Sequence, residues 1–197
     1  MPGHADVPQI STPRLLLRAW RHEDRDAFAR MNADPWVSEH LVGPITRADS
    51  NELVDRIQAC WRTRGYGLWA VERRDTGAFV GYVGLWPAIF TARFTPAVEV
   101  GWRLDPAHWG QGFATEGGRA ALRYGFEVLH LPEVVSFTAV ANERSWRVMQ
   151  RLGMRRDHDG DFEHPAVPPG HPARQHVLYR LLRDEWQSRA RTTRTAD

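Results

Sequence analysis

The feature that most constrains this chain is a glycine-rich segment, HWGQGFATEGG, at residues 108–118. It follows a predicted strand over 98–104 and precedes a predicted helix over 114–129. Glycines at such a place let the backbone turn tightly or approach another group closely. A strand, a glycine turn and a helix in this order are typical of α/β proteins, and they leave open what the backbone approaches.

Three interpretations of this segment compete. A dinucleotide fingerprint needs a third glycine where this chain has Thr115, and it needs an acidic residue at the end of the next strand, whereas Glu133 begins that strand. A tight turn that uses Gly110 and Gly112 for packing alone is the second interpretation. The third is an anion site, because residues 110–115 can present backbone N–H groups beside the positive end of the helix dipole.

Composition excludes several functions. All 26 basic side chains are arginine, which rules out a Walker A phosphate loop and Schiff-base chemistry, since both need lysine. The arginines are spread along the chain, and the net charge is only +2, so no nucleic-acid partner is expected. No apolar run is long enough to span a bilayer, residues 1–9 lack the pattern of a secretory signal, and Cys60 is the only cysteine. These features predict a cytoplasmic protein with no membrane partner and no disulfide.

The remaining pattern predicts one domain over residues 10–186, between a flexible lead at 1–9 and a flexible tail at 187–197. Residues 157–175, rich in Pro, Gly and His, are expected to form a long loop. The histidines there match no zinc-binding spacing, so no metal is expected. The alternation of predicted strands and helices favours a mixed α/β (α+β) sheet with helices on both faces. Predicted strands cover 14–20, 68–73, 79–86, 98–104, 133–139, 154–156 and 176–182, and predicted helices cover 23–32, 48–64, 114–129 and 143–152.

VEVGWRLDPAHWGQGFATEGGRAALRYGF, residues 98–126, resembles the coenzyme-A-binding segment of the GNAT superfamily of N-acetyltransferases, in particular its RimJ/RimL-type branch. The family pattern Arg/Gln-x-x-Gly-x-Gly/Ala reads here WGQGFA, so Trp109 departs from it. An Asn142-Glu-Arg-Ser145 segment followed by Gly153 and the ending YRLLRDEW (179–186) match further parts of the branch. The resemblance runs from residue 10 to 186. It implies a mostly antiparallel central sheet of about six to seven strands in which two central strands splay apart to admit a cofactor.

The resemblance also implies that acetyl-CoA is the co-substrate. Its pantetheine arm is expected along the strand residues Trp102, Arg103 and Leu104, and Asn142 is expected to contact the pantetheine amides while capping the following helix. The pyrophosphate is expected on the backbone of the glycine segment, at Gly110, Gln111, Gly112, Phe113, Ala114 and Thr115.

Glu99 is the candidate catalytic base. It lies on the predicted central strand among Val98, Val100 and Trp102, and such apolar flanks raise the pKa of a carboxylate by desolvation. The alternative is a strand glutamate that faces solvent or pairs with an arginine. Where many GNAT members have a tyrosine that protonates the departing thiolate, this chain has Met149. Ser145 is therefore the candidate proton donor, and capping of the helix is an equally good interpretation of it.

The predicted function is acetyl transfer from acetyl-CoA to a primary amine, either a protein N-terminus or a small molecule, through a ternary complex. The alternative is a non-catalytic acyl-CoA-binding or regulatory module on the same fold, which has no need of Glu99 or Ser145. Asp161, Glu163 and His164 are expected to influence the choice of acceptor. Most tryptophans are assigned to core packing, while Trp36, Trp69, Trp86 and Trp102 are candidates for the wall of the acceptor pocket. A homodimer is compatible with the sequence.

Overall fold

The computed structural model describes residues 7–43 and 45–194, with side chains described up to residue 189. A single sheet holds eight strands in the order β1-β2-β3-β4-β5-β6-β8-β7. Every neighbouring pair is antiparallel except β5 with β6. The strands are β1 (Ile10–Ser11), β2 (Leu15–Arg18), β3 (Leu68–Arg73), β4 (Phe79–Ala88), β5 (Ala97–Leu104), β6 (Glu133–Ala139), β7 (Arg155–Glu163) and β8 (Gln175–Leu182).

The described residues form six α-helices. A 3-10 turn over Pro106–His108 follows β5, and a π-helical turn over Tyr124–Val128 continues α4. None of the helices in the described ranges combines the length and the apolar character needed to cross a membrane. The helices are α1 (Asp24–Asn32), α2 (Pro35–Ser38), α3 (Arg47–Arg64), α4 (Phe113–Arg123), α5 (Glu143–Arg151) and α6 (Arg183–Arg194).

Helices cover both faces of the sheet. On β4, the ring of Tyr82 packs against Phe28 of α1 with their centroids 5.9 Å apart. The next residue, Val83, lies under α4, where a Cβ atom added to Gly117 would come within 3.1 Å of its side chain. Successive strand residues point to opposite faces, so α1 and α4 lie on opposite sides, called below the α1 face and the α4 face. The missing side chain of Gly117 is what allows α4 to lie this close to the sheet.

The sheet has one strand more than the six to seven expected. The additional strand is β1, whose two residues pair with Leu16 and Leu17 of β2. So short a segment has no sequence pattern of its own, because the alternation that reveals a strand needs at least four residues.

Residues 157–163 were expected to belong to a loop, and this expectation is wrong. They extend β7, which pairs with β8 on either side of an irregularity between Asp157 and Phe162. A bulge inserts unpaired residues and breaks the alternation of inward and outward side chains, so the strand is hard to recognise from sequence. The true connection between β7 and β8 is residues 164–174.

Both ends of the chain were expected to be flexible, and part of the C-terminal end is helical instead. Residues 1–6 and 195–197 lie outside the described residues, while residues 187–194, predicted to be a tail, belong to helix α6. The start of α6 is held by Glu185, whose carboxylate accepts a hydrogen bond from the Leu182 backbone N–H at 3.2 Å. Trp186 packs on Phe126 with a centroid separation of 5.7 Å. Docking of this tryptophan on the core explains why the chain stays helical here.

Candidate active site

The sheet opens between its two central parallel strands. β5 and β6 are paired at one position, Glu99 opposite Val135. Next to it, the Ser136 hydroxyl donates a hydrogen bond of 2.8 Å to the backbone carbonyl of Val100. No further pair follows along these two fully described strands, so residues 101–104 present a free backbone edge towards β6. This opening agrees with the splayed strands expected from the sequence.

A groove of about 1500 Å³ runs from this opening along the glycine-rich segment to the start of α5. It brings together most of the residues predicted to bind the cofactor. Two of the predicted site residues, Gln111 and Glu99, are not part of its lining. The predicted residues that line it are Trp102, Arg103, Leu104, Gly110, Gly112, Phe113, Ala114, Thr115, Asn142 and Ser145.

The glycine segment has the backbone geometry of an anion site. Gly110 and Gly112 have φ angles of +74° and +81°, a backbone conformation that residues other than glycine rarely adopt. Gly112 is the N-cap of α4 and has no side chain to satisfy the first N–H groups of that helix. The Gln111 side chain turns away to donate to the Ala107 carbonyl at 3.2 Å. The Gln111 side chain therefore contributes to the shape of the turn, and the contact of its backbone N–H with the pyrophosphate stays a prediction.

Trp109, the departure from the family pattern, has a structural role. Its indole N–H donates a 2.7 Å hydrogen bond to the carbonyl of Leu104 at the end of β5. The Arg144 guanidinium of α5 lies 4.7 Å from the Trp109 ring centroid and 3.8 Å from a carboxylate oxygen of Glu39. These contacts join the loop after β5 to the elements on the other side of the groove.

Arg14 and Glu116 join the first turn of α4 to the glycine segment, and the sequence did not reveal them. The Arg14 side chain donates to the Gln111 carbonyl at 2.8 Å and to the Glu116 carboxylate at 2.6 Å. Burial alone would raise the pKa of Glu116, but hydrogen bonds from Thr12 and Arg14 outweigh burial and hold that pKa below its usual value. More than 100 residues separate these partners, so no local pattern could have joined them.

Glu99 lies at the opening, on the α1 face. Its half-buried carboxylate lies over Gly101, where an added Cβ atom would be 3.6 Å from Oε1. Desolvation by burial raises the pKa of Glu99 to about 8. Among the described residues it has no hydrogen-bond or ion-pair partner. The alternative in which Glu99 pairs with an arginine is therefore not what the structure contains.

Two aromatic residues of β4 flank Glu99: Trp86, which was predicted as a candidate for the wall of the acceptor pocket, and Tyr82, which no sequence pattern indicated. Trp86 lies directly opposite Glu99 across the β4–β5 pair, so the two side chains share a face. Tyr82 lies further along that face, beneath the Arg103 guanidinium at 5.5 Å. Burial raises the pKa of the Tyr82 hydroxyl, and the Glu99 charge adds to this effect. Within the described residues, neither the Trp86 indole N–H nor the Tyr82 hydroxyl has a hydrogen-bond partner.

The start of α5 separates the two interpretations of Asn142 and Ser145. Asn142 is the N-cap, and its side-chain oxygen accepts a hydrogen bond from the Ser145 backbone N–H at 3.2 Å. Its amide nitrogen donates to Thr138 at 2.9 Å. Ser145 is therefore not the cap. Ser145 is one of the residues that line the groove, while Met149, the position of the tyrosine in many GNAT members, is buried in the core.

Six rings come together on the α1 face beyond Glu99 and are called here the aromatic cluster: Phe90, Phe94, Phe137, Phe162, His164 and His176. Burial, and secondarily His176, lower the pKa of His164 to about 4. Burial also lowers the pKa of His176. Within the described residues no group of three or more His, Cys, Asp or Glu side chains is arranged to hold a metal ion.

The tryptophans divide between core and site. Trp69, a candidate for the wall of the acceptor pocket, is instead fully buried in the core. Trp36 and Trp102 line the groove, and Trp86 faces the Glu99 side.

Of the residues expected to influence acceptor choice, Asp161 pairs with Arg156 at 2.5 Å and Glu163 pairs with Arg174 at 2.8 Å. Both carboxylates are thus already engaged within the protein.

The acetyltransferase (GNAT) domain family matches residues 14–155, which include the opened sheet and the glycine segment. The chain belongs to the GNAT acetyltransferase family. It is 32% identical over 186 residues to the FsC-acetyl coenzyme A-N(2)-transacetylase of Aspergillus fumigatus, a match that covers 91% of this chain and 78% of the relative. GNAT acetyltransferases use acetyl-CoA as co-substrate and an amine as acceptor, so the chain is an N-acetyltransferase.

Solved GNAT structures have the same fold. An acetyltransferase (GNAT family) from Bacillus anthracis is 25% identical, with a TM-score of 0.75 over 90% of this chain and 100% of that one. An acetyltransferase from Agrobacterium tumefaciens is 29% identical, with a TM-score of 0.73 over 89% of this chain and 95% of that one. The mixed α/β fold with an open sheet is therefore the GNAT fold.

Proposed function

We propose that this GNAT domain, residues 10–186, transfers the acetyl group of acetyl-CoA to a primary amine that reaches the sheet opening from the α1 face, with Glu99 as the base. The observation that carries this proposal is the Glu99 carboxylate, unpaired among the described residues and placed where β5 and β6 cease to pair. A carboxylate whose pKa is raised to about 8 is suited to take a proton from an ammonium group near neutral pH.

The cofactor occupies the groove in this proposal. Its pyrophosphate lies on the N–H groups of residues 110–115, where the α4 dipole and the free first-turn donors favour an anion. Its pantetheine amides pair with the free backbone edge of 101–104, as an added strand does. The side chains of Trp102 and Asn142 border this path.

The reaction is a direct transfer. Glu99 accepts a proton from the substrate ammonium, and the neutral nitrogen attacks the thioester carbonyl carbon to form the new C–N bond. The negative charge on the carbonyl oxygen is stabilised by a backbone N–H of β5. The attacking nitrogen, positively charged once the C–N bond has formed, releases its second proton to solvent. The C–S bond then breaks, and the electron pair leaves on the coenzyme sulfur.

The thiolate that leaves must take up a proton. We assign this proton to the hydroxyl of Ser145, a residue that lines the groove and is not used as the helix cap. Met149 has no proton to donate and is buried, so the tyrosine of many GNAT members has no counterpart at that position. Ser145 regains a proton from solvent through the open groove.

Both a protein N-terminus and a small-molecule amine remain in the proposal as acceptors. The name of the Aspergillus relative describes an acetyl coenzyme A N(2)-transacetylase, which supports transfer to an amine. Assignment to the RimJ/RimL-type branch is a prediction from the sequence motifs. The alternative of a non-catalytic acyl-CoA-binding module leaves the unpaired Glu99 without a role.

The test is Glu99→Gln, which keeps the size of the side chain and removes the base. We expect turnover with any accepted amine to fall by about 10²–10⁴-fold, with the dissociation constant for CoA unchanged. Glu143→Gln on the exposed first turn of α5 is the matched control and should leave turnover unchanged. Undiminished turnover in Glu99→Gln would remove the assignment.

A further inference from the structure

The acceptor side of Glu99 has its own chemistry, which differs from that of the cofactor groove. Glu99, Trp86 and Tyr82 share the α1 face on β4 and β5. β6 continues this face, because Val135 lies opposite Glu99 and Phe137 is two residues further on. Phe137 therefore lies on the same face as Glu99, on the other side of the sheet opening.

Phe137 is the ring that connects Glu99 to the aromatic cluster. Its centroid lies 5.5 Å from Phe90 and 5.5 Å from Phe162, both in edge-to-face geometry. Phe90 and Phe94 come from residues 89–96, which connect β4 to β5 and fold back over β6. Three separate segments thus supply rings to one wall, and each ring in it keeps part of its surface exposed.

The histidines in this wall are neutral at ordinary pH. Burial lowers the pKa of both, to about 4 for His164. The His164 Nδ1 accepts a hydrogen bond from the Ala166 backbone N–H at 3.2 Å, and His176 Nδ1 lies 3.0 Å from the Arg174 carbonyl. Their rings therefore act as further uncharged, flat surfaces.

Among the charged side chains near this wall, Arg180 is compensated by carboxylates, whereas Arg103 has a neutral partner. Arg180 lies under Phe94 at 6.0 Å and pairs with Glu133 at 3.0 Å and with Asp157 at 2.6 Å. Arg103 is held by the Asn32 side chain at 2.9 Å. Glu99 differs, since no ion partner reaches it from the described residues. A polyamine would need several free carboxylates, and Glu133 and Asp157 are already paired with Arg180.

We infer that the acceptor is a monoamine with an uncharged, apolar and preferably aromatic group about two carbons from its nitrogen, and that Phe137, Phe90 and Trp86 receive this group while Glu99 receives the amine. This inference rests on the proposed function. Aromatic groups gain from edge-to-face contact as well as from apolar burial, which gives the wall a reason to consist of rings. The unpartnered indole N–H of Trp86 offers a hydrogen bond to a polar atom on the acceptor.

The test compares three amines at saturating acetyl-CoA: 2-phenylethylamine, n-propylamine and spermidine, with release of the CoA thiol as the readout. We expect kcat/KM for 2-phenylethylamine to exceed that for n-propylamine by at least about tenfold, the factor that burying a ring beyond a short alkyl chain supports. Spermidine should be the poorest of the three. A preference for spermidine, or equal values for the two monoamines, overturns the inference.

Variants of Phe137 locate the effect. Phe137→Leu keeps the apolar volume and should reduce the preference for 2-phenylethylamine over n-propylamine several-fold, mainly through KM, while the dissociation constant for CoA stays the same. Phe137→Ala should abolish the preference, and thermal unfolding of both variants checks that they remain folded. Folded variants that keep the full preference contradict the inference.

The same experiment separates this inference from the proposed function. If n-propylamine is acetylated in a Glu99-dependent way and the aromatic preference is missing, only the inference about the acceptor fails. If no amine stimulates thiol release in the wild-type protein, the proposed function fails with it.

Discussion

In the proposed function, the two sides of the sheet opening recognise their ligands by different means. On the cofactor side, the groove offers the backbone: the free edge of 101–104, two glycines with positive φ and the uncapped first turn of α4. On the acceptor side, the contacts are side chains: Glu99, Trp86 and the aromatic cluster. Backbone groups are the same in every protein, so the cofactor side can be shared by a family. Side chains differ freely, so the acceptor side is where the specificity of this chain resides.

The largest expected difference between the two sides is in their dependence on pH. Glu99 must be ionised to act as a base, and its pKa is raised to about 8, so kcat/KM should rise with pH up to that value. Below pH 7 the rise should be about tenfold per pH unit, because the ionised fraction falls by that factor. Affinity for CoA should stay level across this range, since backbone N–H groups do not titrate.

The acceptor amine also titrates, so the profile must be measured with two acceptors whose amine pKa values differ. The inflection near pH 8 that is common to both belongs to the protein and should disappear in Glu99→Gln. An inflection that follows the acceptor pKa alone would contradict the assignment.

A change of the loop backbone should act on the cofactor side alone. Gly112→Val places a β-branched residue at φ +81° and should weaken CoA binding by about tenfold or more, because the strain costs about 1–2 kcal/mol and misdirects the N–H groups. The measurement is calorimetric titration with CoA.

Gly77→Val is the matched control for that variant. Gly77 lies in the β3–β4 hairpin at φ +69°, and an added Cβ atom there meets nothing within 4 Å. It should lower stability by a similar amount and leave CoA binding intact. Equal losses of CoA affinity in the two variants would show that strain, and not the loop itself, is responsible.

At the start of α5, one residue is expected to affect turnover and another to affect stability, and both effects are smaller than those above. Ser145→Ala should lower kcat by about tenfold or less, because a thiolate is already a good leaving group, with no change in unfolding free energy. Asn142→Ala should lower the free energy of unfolding by about 1 kcal/mol through loss of the cap. Denaturant unfolding and steady-state kinetics of both variants test this division, which fails if Ser145→Ala destabilises the fold at unchanged kcat.

The smallest effect concerns stability on the acceptor side. Because the folded-state pKa of Glu99 lies above its ordinary value of 4.5, the folded protein retains a proton that the unfolded chain has released. This part of the stability is therefore lost as pH rises from about 4.5 to 8. We expect Glu99→Gln to melt a few degrees above the wild type at pH 8 and at the same temperature near pH 4.5. A difference in Tm that does not change with pH would contradict the burial of this carboxylate.

The sequence predicted the cofactor side better than the acceptor side, because only the cofactor side is built from one contiguous segment. The strand β5, the glycine segment and the start of α4 are contiguous, so residues 98–123 revealed the cofactor side together. Glu99 was also found, because strand alternation and apolar neighbours are local features. Its neighbours Trp86 and Phe137 are 13 residues before and 38 residues after it, and only the register of β4, β5 and β6 brings them together.

Other errors have similar causes. The pairing of Arg14 with Glu116 depends on packing between distant segments. The bulge in β7 hides a strand inside a polar sequence that was interpreted as a loop. Helix α6 was missed because a single tryptophan, docked on Phe126, holds a segment that has few apolar residues of its own.

The single pairing of β5 with β6 has a consequence for how the protein behaves when it is purified. The free edge of 101–104 leaves backbone groups that the cofactor would satisfy, so ligand and fold are thermodynamically linked. At a CoA concentration 100 times its dissociation constant, linkage adds about 2.7 kcal/mol to the stability of the folded state. The apparent stability of this protein is therefore a function of the coenzyme supply, and removal of coenzyme by dialysis should lower its melting temperature and speed hydrogen exchange at the backbone of β5.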